Sequence, residues 1–178
     1  MLELTILGFL AEQPLHGYQL RTRIARLSGH VRPVSDGSLY PAIKRMEAAG
    51  LLVRQAEQGT AAAPRQVLSL TGAGRAELLR RLRDPEELEI TDRTRFFAVL
   101  AFLHLLPDPA AQAAVLRRRL AFLDQPASYF HDDGDRPVRI ADLDDQPFRR
   151  GMLVIARATR AAEREWLHEA LAALAPPG

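Results

Sequence analysis

No cysteine occurs anywhere in the sequence. Disulfides, thiolate metal sites and cysteine nucleophiles are therefore excluded, and the default expectation is a cytoplasmic protein. There is no uninterrupted apolar run of about 18 residues, the length a membrane-spanning helix needs. The apolar N-terminal stretch MLELTILGFLAEQPLHGYQL has no basic region ahead of it, and Glu3 and Glu12 bracket it, so it reads as an amphipathic helix rather than a signal peptide. Enzyme signatures are missing too: no glycine-rich phosphate loop, no His-Glu-x-x-His, no G-x-S-x-G. Thr71-Gly-Ala-Gly is a helix cap, not a nucleotide fingerprint. His131, Asp132, Asp133 and Asp135 lack a second histidine at ligand spacing and any EF-hand pattern, so a solvated acidic loop is the expectation. No catalytic residue, metal or cofactor is expected.

What the chain does have is an uneven charge. Residues 1–83 carry twelve Lys and Arg against six Asp and Glu, whereas residues 84–178 carry twelve against sixteen, within an overall charge of +2. A basic first part is the footprint of a polyanion partner, although an ordinary solvated basic face gives the same count. Only Lys44 among the 24 basic residues is a lysine.

Apolar periodicity predicts helices over 2–11 and 16–28, the second with Leu20, Ile24 and Leu27 as its stripe and Arg21, Arg23 and Arg26 opposite. After a turn through Val31-Arg32-Pro33, the stretch SDGSLYPAIKRMEAAGLLVR predicts a third helix capped by Ser35 or Ser38. Leu39, Ile43 and Met46 form its inward stripe. Pro41 fits the third helical position if Ser38 caps; if Ser35 caps, its ring presses on the Gly37 carbonyl. The earlier start, with an irregular first turn, is the reading adopted. Strands are predicted over 51–56 and 65–70, joined by the small-residue loop EQGTAAAP, and Thr71 caps a fourth helix. Residues 84–91 read as an acidic linker. Further helices are predicted over 92–106, 109–123 with Leu116, Leu120 and Leu123 on one face, and about 148–174, with a loop or a mobile crossover over 124–147.

Three helices followed by a hairpin within about 80 residues is the order of a winged helix-turn-helix, whose second paired helix enters the major groove of DNA. The fold expected is mainly α with a small β-hairpin: a DNA-binding domain over 1–83, the linker, and a helical dimerisation domain over 92–178. On the third helix Ser35, Ser38, Tyr40, Pro41, Lys44 and Arg45 remain outside the apolar stripe, which suits phosphates and base edges. Arg23, Arg26, Arg32 and Arg65 are further phosphate candidates, each also readable as a solvated cation. Tyr18 reads as a residue bridging helices whose hydroxyl reaches a phosphate. Phe96, Phe97, Leu100, Phe102 and Leu103 read as dimer core, with an effector pocket as the sharper alternative. Trp166, on the stripe Met152, Ile155, Thr159, Ala162, Trp166, reads as interface packing. His104 reads as a core or interface histidine.

The stretches LTILGFLAEQPLHGYQL, SDGSLYPAIKRMEAAGLL and LSLTGAGRAEL occur in that order and resemble the PadR family of bacterial transcriptional regulators over residues 2–83. REWLHEAL, behind a helix with Phe-Arg-Arg-Gly, is similar to the family's longer-tailed, Vir-type branch. The resemblance implies a homodimeric repressor that dimerises through its first and C-terminal helices. It would read a pseudo-palindromic operator with half-sites about 34 Å apart, and a phenolic or lipophilic effector would release it. The wing departs from the family pattern, because it has Arg65 but few other cations. A reading from another class is a winged-helix adaptor that binds a protein partner and no specific DNA.

Overall fold

The computed structural model describes residues 1–27, 35–57, 65–125 and 136–175, with only the backbone described at Glu57 and Arg65. It divides into two compact units, 1–107 and 108–178.

In the first unit, helix α1 (Leu2–Glu12) is buried at Leu4, Thr5, Ile6, Leu7, Gly8 and Leu10, so it is covered nearly all round rather than along one stripe. It packs on α2 (Gly17–Leu27), α3 (Asp36–Ala48), strand β3 (Arg65–Leu70), α4 (Gly72–Arg83) and α6 (Arg93–Phe102). The sheet is three-stranded and antiparallel, in the order β1 (Leu15–His16), β3, β2 (Leu52–Glu57). The hairpin register sets Leu52 opposite Leu70 and Arg54 opposite Leu68, and β1 adds Leu15 opposite Leu68. Sequence periodicity predicts only the hairpin, because a two-residue strand between Pro14 and Gly17 has no period of its own.

Two close approaches fix this unit. A Cβ on Gly8 would lie 2.4 Å from the Phe102 ring, so only glycine lets α6 rest on α1 there. Phe102 also meets Phe9 edge-on, with ring centroids 5.0 Å apart. At the start of α4, Thr71 Oγ1 accepts a hydrogen bond from Gly74 N at 2.9 Å and donates towards the Gly50 and Leu51 carbonyls at 2.7 and 3.0 Å. A Cβ on Gly74 would sit 2.1 Å from Leu51 O. Gly50, at φ +71°, turns the chain out of α3 into β2.

Several expectations are corrected. Leu27 is 40% exposed, so the inward face of α2 is Leu20 and Ile24. Residues 84–91 are not simply a linker. They include helix α5 (Glu87–Thr91), closed by a capping box in which Glu86 and Glu89 serve each other's backbone, with Ile90 buried. The apolar segment expected as one helix over 92–106 is α6 followed by a 3-10 turn, Leu103–Leu105. His104 in that turn is exposed rather than a core residue.

The second unit consists of α7 (Pro109–Asp124), a 3-10 turn at Ile140–Leu143 and α8 (Pro147–Ala173). Part of the stretch expected as loop is therefore ordered into a turn, and Leu143 packs with Leu153 against Val138, Ile140 and Ala156. Residues 126–135, with the acidic His131 cluster, and Arg32 lie outside the described residues. The α7–α8 contact includes ion pairs and hydrogen bonds. Arg119, 2% exposed, donates from Nε to Glu163 Oε1 at 2.7 Å and lies over the Phe122 ring. Arg160 donates to the Leu123 and Gln125 carbonyls, and Arg164 pairs with Asp124 at 2.5 Å.

The expected stripe of α8 has the opposite orientation to a core stripe. Its buried residues are Leu153 and Leu167, while Phe148 (93%), Ile155 (68%), Met152 and Trp166 are exposed. Among the described residues no helix is long and apolar enough to cross a membrane.

Candidate nucleic-acid interface

The candidate site is assembled on α3 because its apolar residues recur at helical spacing. Leu39, Ala42, Ile43 and Met46 are buried, which forces Gly37, Tyr40, Pro41, Lys44 and Ala48 to the opposite side, all exposed. Ser35 is the N-cap in extended conformation, so Pro41 falls in the second turn, as the earlier of the two starts requires. The missing Pro41 N–H leaves the Gly37 carbonyl without its helical donor; Gly37 is exposed, and water can take that role. Ser35 Oγ sits 3.2 Å from Ser38 Oγ, and Ser38 Oγ also donates to Ser35 O at 2.9 Å. Both hydroxyls thus stand at the exposed N-terminal end of the helix.

The two helices of the helix-turn-helix are fastened by charge. Arg21 Nη1 on α2 donates to both carboxylate oxygens of Asp36 on α3, at 2.8 and 3.0 Å. Arg23 lies 3.7 Å from Glu12, and Arg45 reaches back to Glu3 on α1 at 3.3 Å. Lys44 makes no hydrogen bond or ion pair among the described residues. Arg26 is exposed on α2.

Tyr18 is 63% exposed, and its ring stacks on His16 at 5.7 Å with 9° between planes. It is a surface aromatic. Tyr40, 41% exposed, packs beside Gly17, where a Cβ would already be 3.3 Å from its Cε1. Arg65 pairs through its backbone with Glu57 at the end of the described wing. Its side chain lies outside what is described.

Sequence reasoning missed Arg54. Its Nε and Nη2 form a two-pronged contact with Glu47 at 2.9 and 3.0 Å, and its Nη1 donates to Gln66 Oε1 at 3.0 Å. The hydrogen bond to Glu47 raises its pKa above the ordinary guanidinium value, so it stays charged. Glu47 and Arg54 are seven residues apart on either side of the Gly50 turn, a spacing with no period to reveal it.

Of the expected interface residues, Ser35, Ser38, Tyr40, Pro41, Lys44 and Arg45 are all exposed, Ser35 and Ser38 at the N-terminal end of α3 and Arg45 turned towards Glu3 on α1. Among the expected dimer or effector residues, Phe96, Phe102 and Leu103 are buried within the chain. Phe97 is half exposed under the Arg93 guanidinium, Leu100 is half-buried and Trp166 is 42% exposed.

A three-helix unit whose second paired helix is amphipathic, closed by a β-hairpin, defines a winged helix-turn-helix. Residues 6–80 match the model of the transcriptional regulator PadR-like family. Transcriptional regulator Rv3488 of Mycobacterium tuberculosis is 40% identical over 85 residues, 48% of this chain and 76% of that protein. The chain therefore belongs to the PadR-like family of transcriptional regulators, which is not an enzyme family. An uncharacterised 37.1 kDa protein in transposon TN4556 of Streptomyces fradiae is also 40% identical, over 79 residues, 44% of this chain and only 21% of that protein's length. Among solved structures, Bacillus subtilis PadR in complex with operator DNA is 18% identical, with a TM-score of 0.46 over 98% of this chain and 99% of that one.

Proposed function

We propose that the chain is a sequence-specific, homodimeric DNA-binding repressor acting in the cytoplasm, with α3 as its recognition helix. The observation that carries this reading is the outward face of α3. It presents two hydroxyls, a phenol and Lys44, which has no partner among the described residues, while its opposite face anchors the helix in the core. These are groups for base edges and phosphates.

Dimerisation is supported by α8, which turns Arg160 and Arg164 towards α7 and leaves Met152, Ile155 and Trp166 exposed along one side. An exposed apolar stripe of this kind, on a helix whose inner face is already packed through Leu153 and Leu167, calls for a partner surface, and in a homodimer the same stripe on a second copy supplies it. The apolar residues of α1 are already covered within one chain, so α8 is the stronger candidate for the interface. Release by a phenolic or lipophilic effector follows the family resemblance. Phe97, Leu100 and Trp166 are the expected contact residues still accessible to a ligand, whereas Phe96 and Leu103 are committed to packing.

Selection of genomic fragments by the purified protein, with sedimentation of the free and bound forms, tests the reading. The expected result is enrichment of one pseudo-palindrome bound by two chains. Sequence-blind enrichment, or a monomer bound to each fragment, contradicts it and turns attention to the adaptor reading.

A further inference from the structure

Between the start of α2, α3 and the sheet lies a cleft of about 390 Å³ lined by His16, Gly17, Tyr18, Tyr40, Arg54 and Gln66, among others. Three separate parts of the chain converge there, and what they bring is phenol, imidazole and guanidinium rather than a carboxylate. The nearest acid to Arg54 is Glu47, and its two oxygens are occupied by Nε and Nη2. A guanidinium has five N–H donors. Glu47 and Gln66 take three of Arg54's and hold the plane of the fork, and the side chain stays 38% exposed. His16 Nδ1 sits 3.0 Å from the Gln66 carbonyl, so that nitrogen carries the proton and the ring is held on the strand. Tyr18 then stacks on that ring, which fixes a phenol at the rim.

We propose that this cleft seats one backbone phosphate of duplex DNA, with Arg54 as its charged ligand, Tyr18 and Tyr40 as neutral donors, and Glu47 as the positioning residue that aims Arg54. The proposal rests on the DNA-binding reading of α3 and deepens it. The wing contributes through its base at Arg54, which accounts for binding by a hairpin with few cations at its tip. The geometry also ties the recognition helix to the wing, because Glu47 is on α3 and Arg54 on β2. A phosphate in the cleft sets the angle at which α3 meets the groove.

The experiment is the salt dependence of binding between the full-length protein and its selected operator duplex, for wild type, Arg54→Gln, Tyr18→Phe and Arg80→Gln. Each neutralised phosphate contributes about −0.9 to the slope of log K against log salt. Arg54→Gln is expected to make the slope shallower by about 0.9 per chain. Tyr18→Phe lowers affinity several-fold with the slope unchanged. Arg80→Gln, which removes an exposed cation on α4 paired with Glu77, changes neither. An unchanged slope in Arg54→Gln, with thermal unfolding matching wild type, overturns the proposal and leaves Arg54 a structural ion pair. Should Arg54→Gln unfold, Glu47→Gln keeps the test open: loss of affinity at wild-type Tm supports the aiming role, and unchanged affinity refutes it. If wild type itself shows no salt-steep, operator-selective binding, the repressor reading fails rather than the cleft alone.

Discussion

Replacing Gly8 by alanine sets two opposing effects against each other, and the structure says which wins. In an exposed helix interior the exchange stabilises by about 1 kcal/mol, because alanine has less freedom to lose. In α1 the new methyl group would lie 2.4–2.6 Å from three atoms of the Phe102 ring. Ordinary carbon contacts are about 3.5–4.0 Å, so the ring or the helix must move by more than an ångström. Phe102 is 1% exposed and wedged edge-on against Phe9, so it has no free space to enter. Overpacking of this kind costs about 1–3 kcal/mol, sometimes more. The net expectation for Gly8→Ala is a loss of up to about 2 kcal/mol, the larger penalty offset in part by the helix gain.

A double-mutant cycle separates the terms. Phe102→Leu alone leaves a gap and destabilises. In that background Gly8→Ala fills part of the gap and regains its helical advantage, so the second substitution is expected to stabilise. Urea unfolding of the four proteins followed by far-UV circular dichroism gives the coupling energy, expected at 1.5 kcal/mol or more, within the usual range of about 0.5–3 kcal/mol for touching residues. Gly8→Ala at least as stable as wild type, or additive behaviour in the cycle, refutes the packing argument and with it the claim that α6 is seated on α1 through this glycine.

Arg119→Met strands the Glu163 carboxylate, and a loss of about 3–5 kcal/mol is expected, with much of it recovered in Arg119→Met/Glu163→Leu, read by chemical denaturation. Arg80 and Arg81 hydrogen-bond to Glu77 and hold its carboxyl at about 2, down from 4.5. Because that folded-state value is depressed, the stability it contributes is fully present above 4.5 and is lost as pH falls towards 2. Glu77→Gln is therefore expected to lower Tm near neutral pH and to narrow its gap to wild type through that window. Ile155→Arg on the exposed stripe of α8 is expected to shift the sedimentation equilibrium from dimer to monomer with helical content unchanged.

The readable parts of the fold were those with a strong local period. Leu39, Ile43 and Met46 announce α3 and its inward face, and Thr71 with its glycines marks the start of α4. The outward face of α3 followed by subtraction, which is why Tyr40, Pro41 and Lys44 were legible. What escaped depends on contacts distant in sequence. β1 exists only because Leu15 and His16 find Leu68 and Val67. Arg119 follows two other arginines in the sequence, yet it is buried against Glu163, 44 residues away. On α8 the alternation of arginine and apolar residues fits a helix equally well either way round. Only the structure shows that Arg160 and Arg164 face α7 and the Trp166 stripe faces outward. The capping box at Glu86 and Glu89 was present as a signal, hidden by the proline and the acidic run around it.

The central claim, that α3 reads DNA, is tested most directly by fluorescence anisotropy of the purified protein against duplexes tiling the region upstream of its own gene, at two salt concentrations, for wild type and Lys44→Ala/Arg45→Ala. The account predicts tight binding to one pseudo-palindromic tile that weakens steeply with salt, and its loss in the double variant at unchanged Tm. Operator binding by the double variant equal to wild type contradicts it.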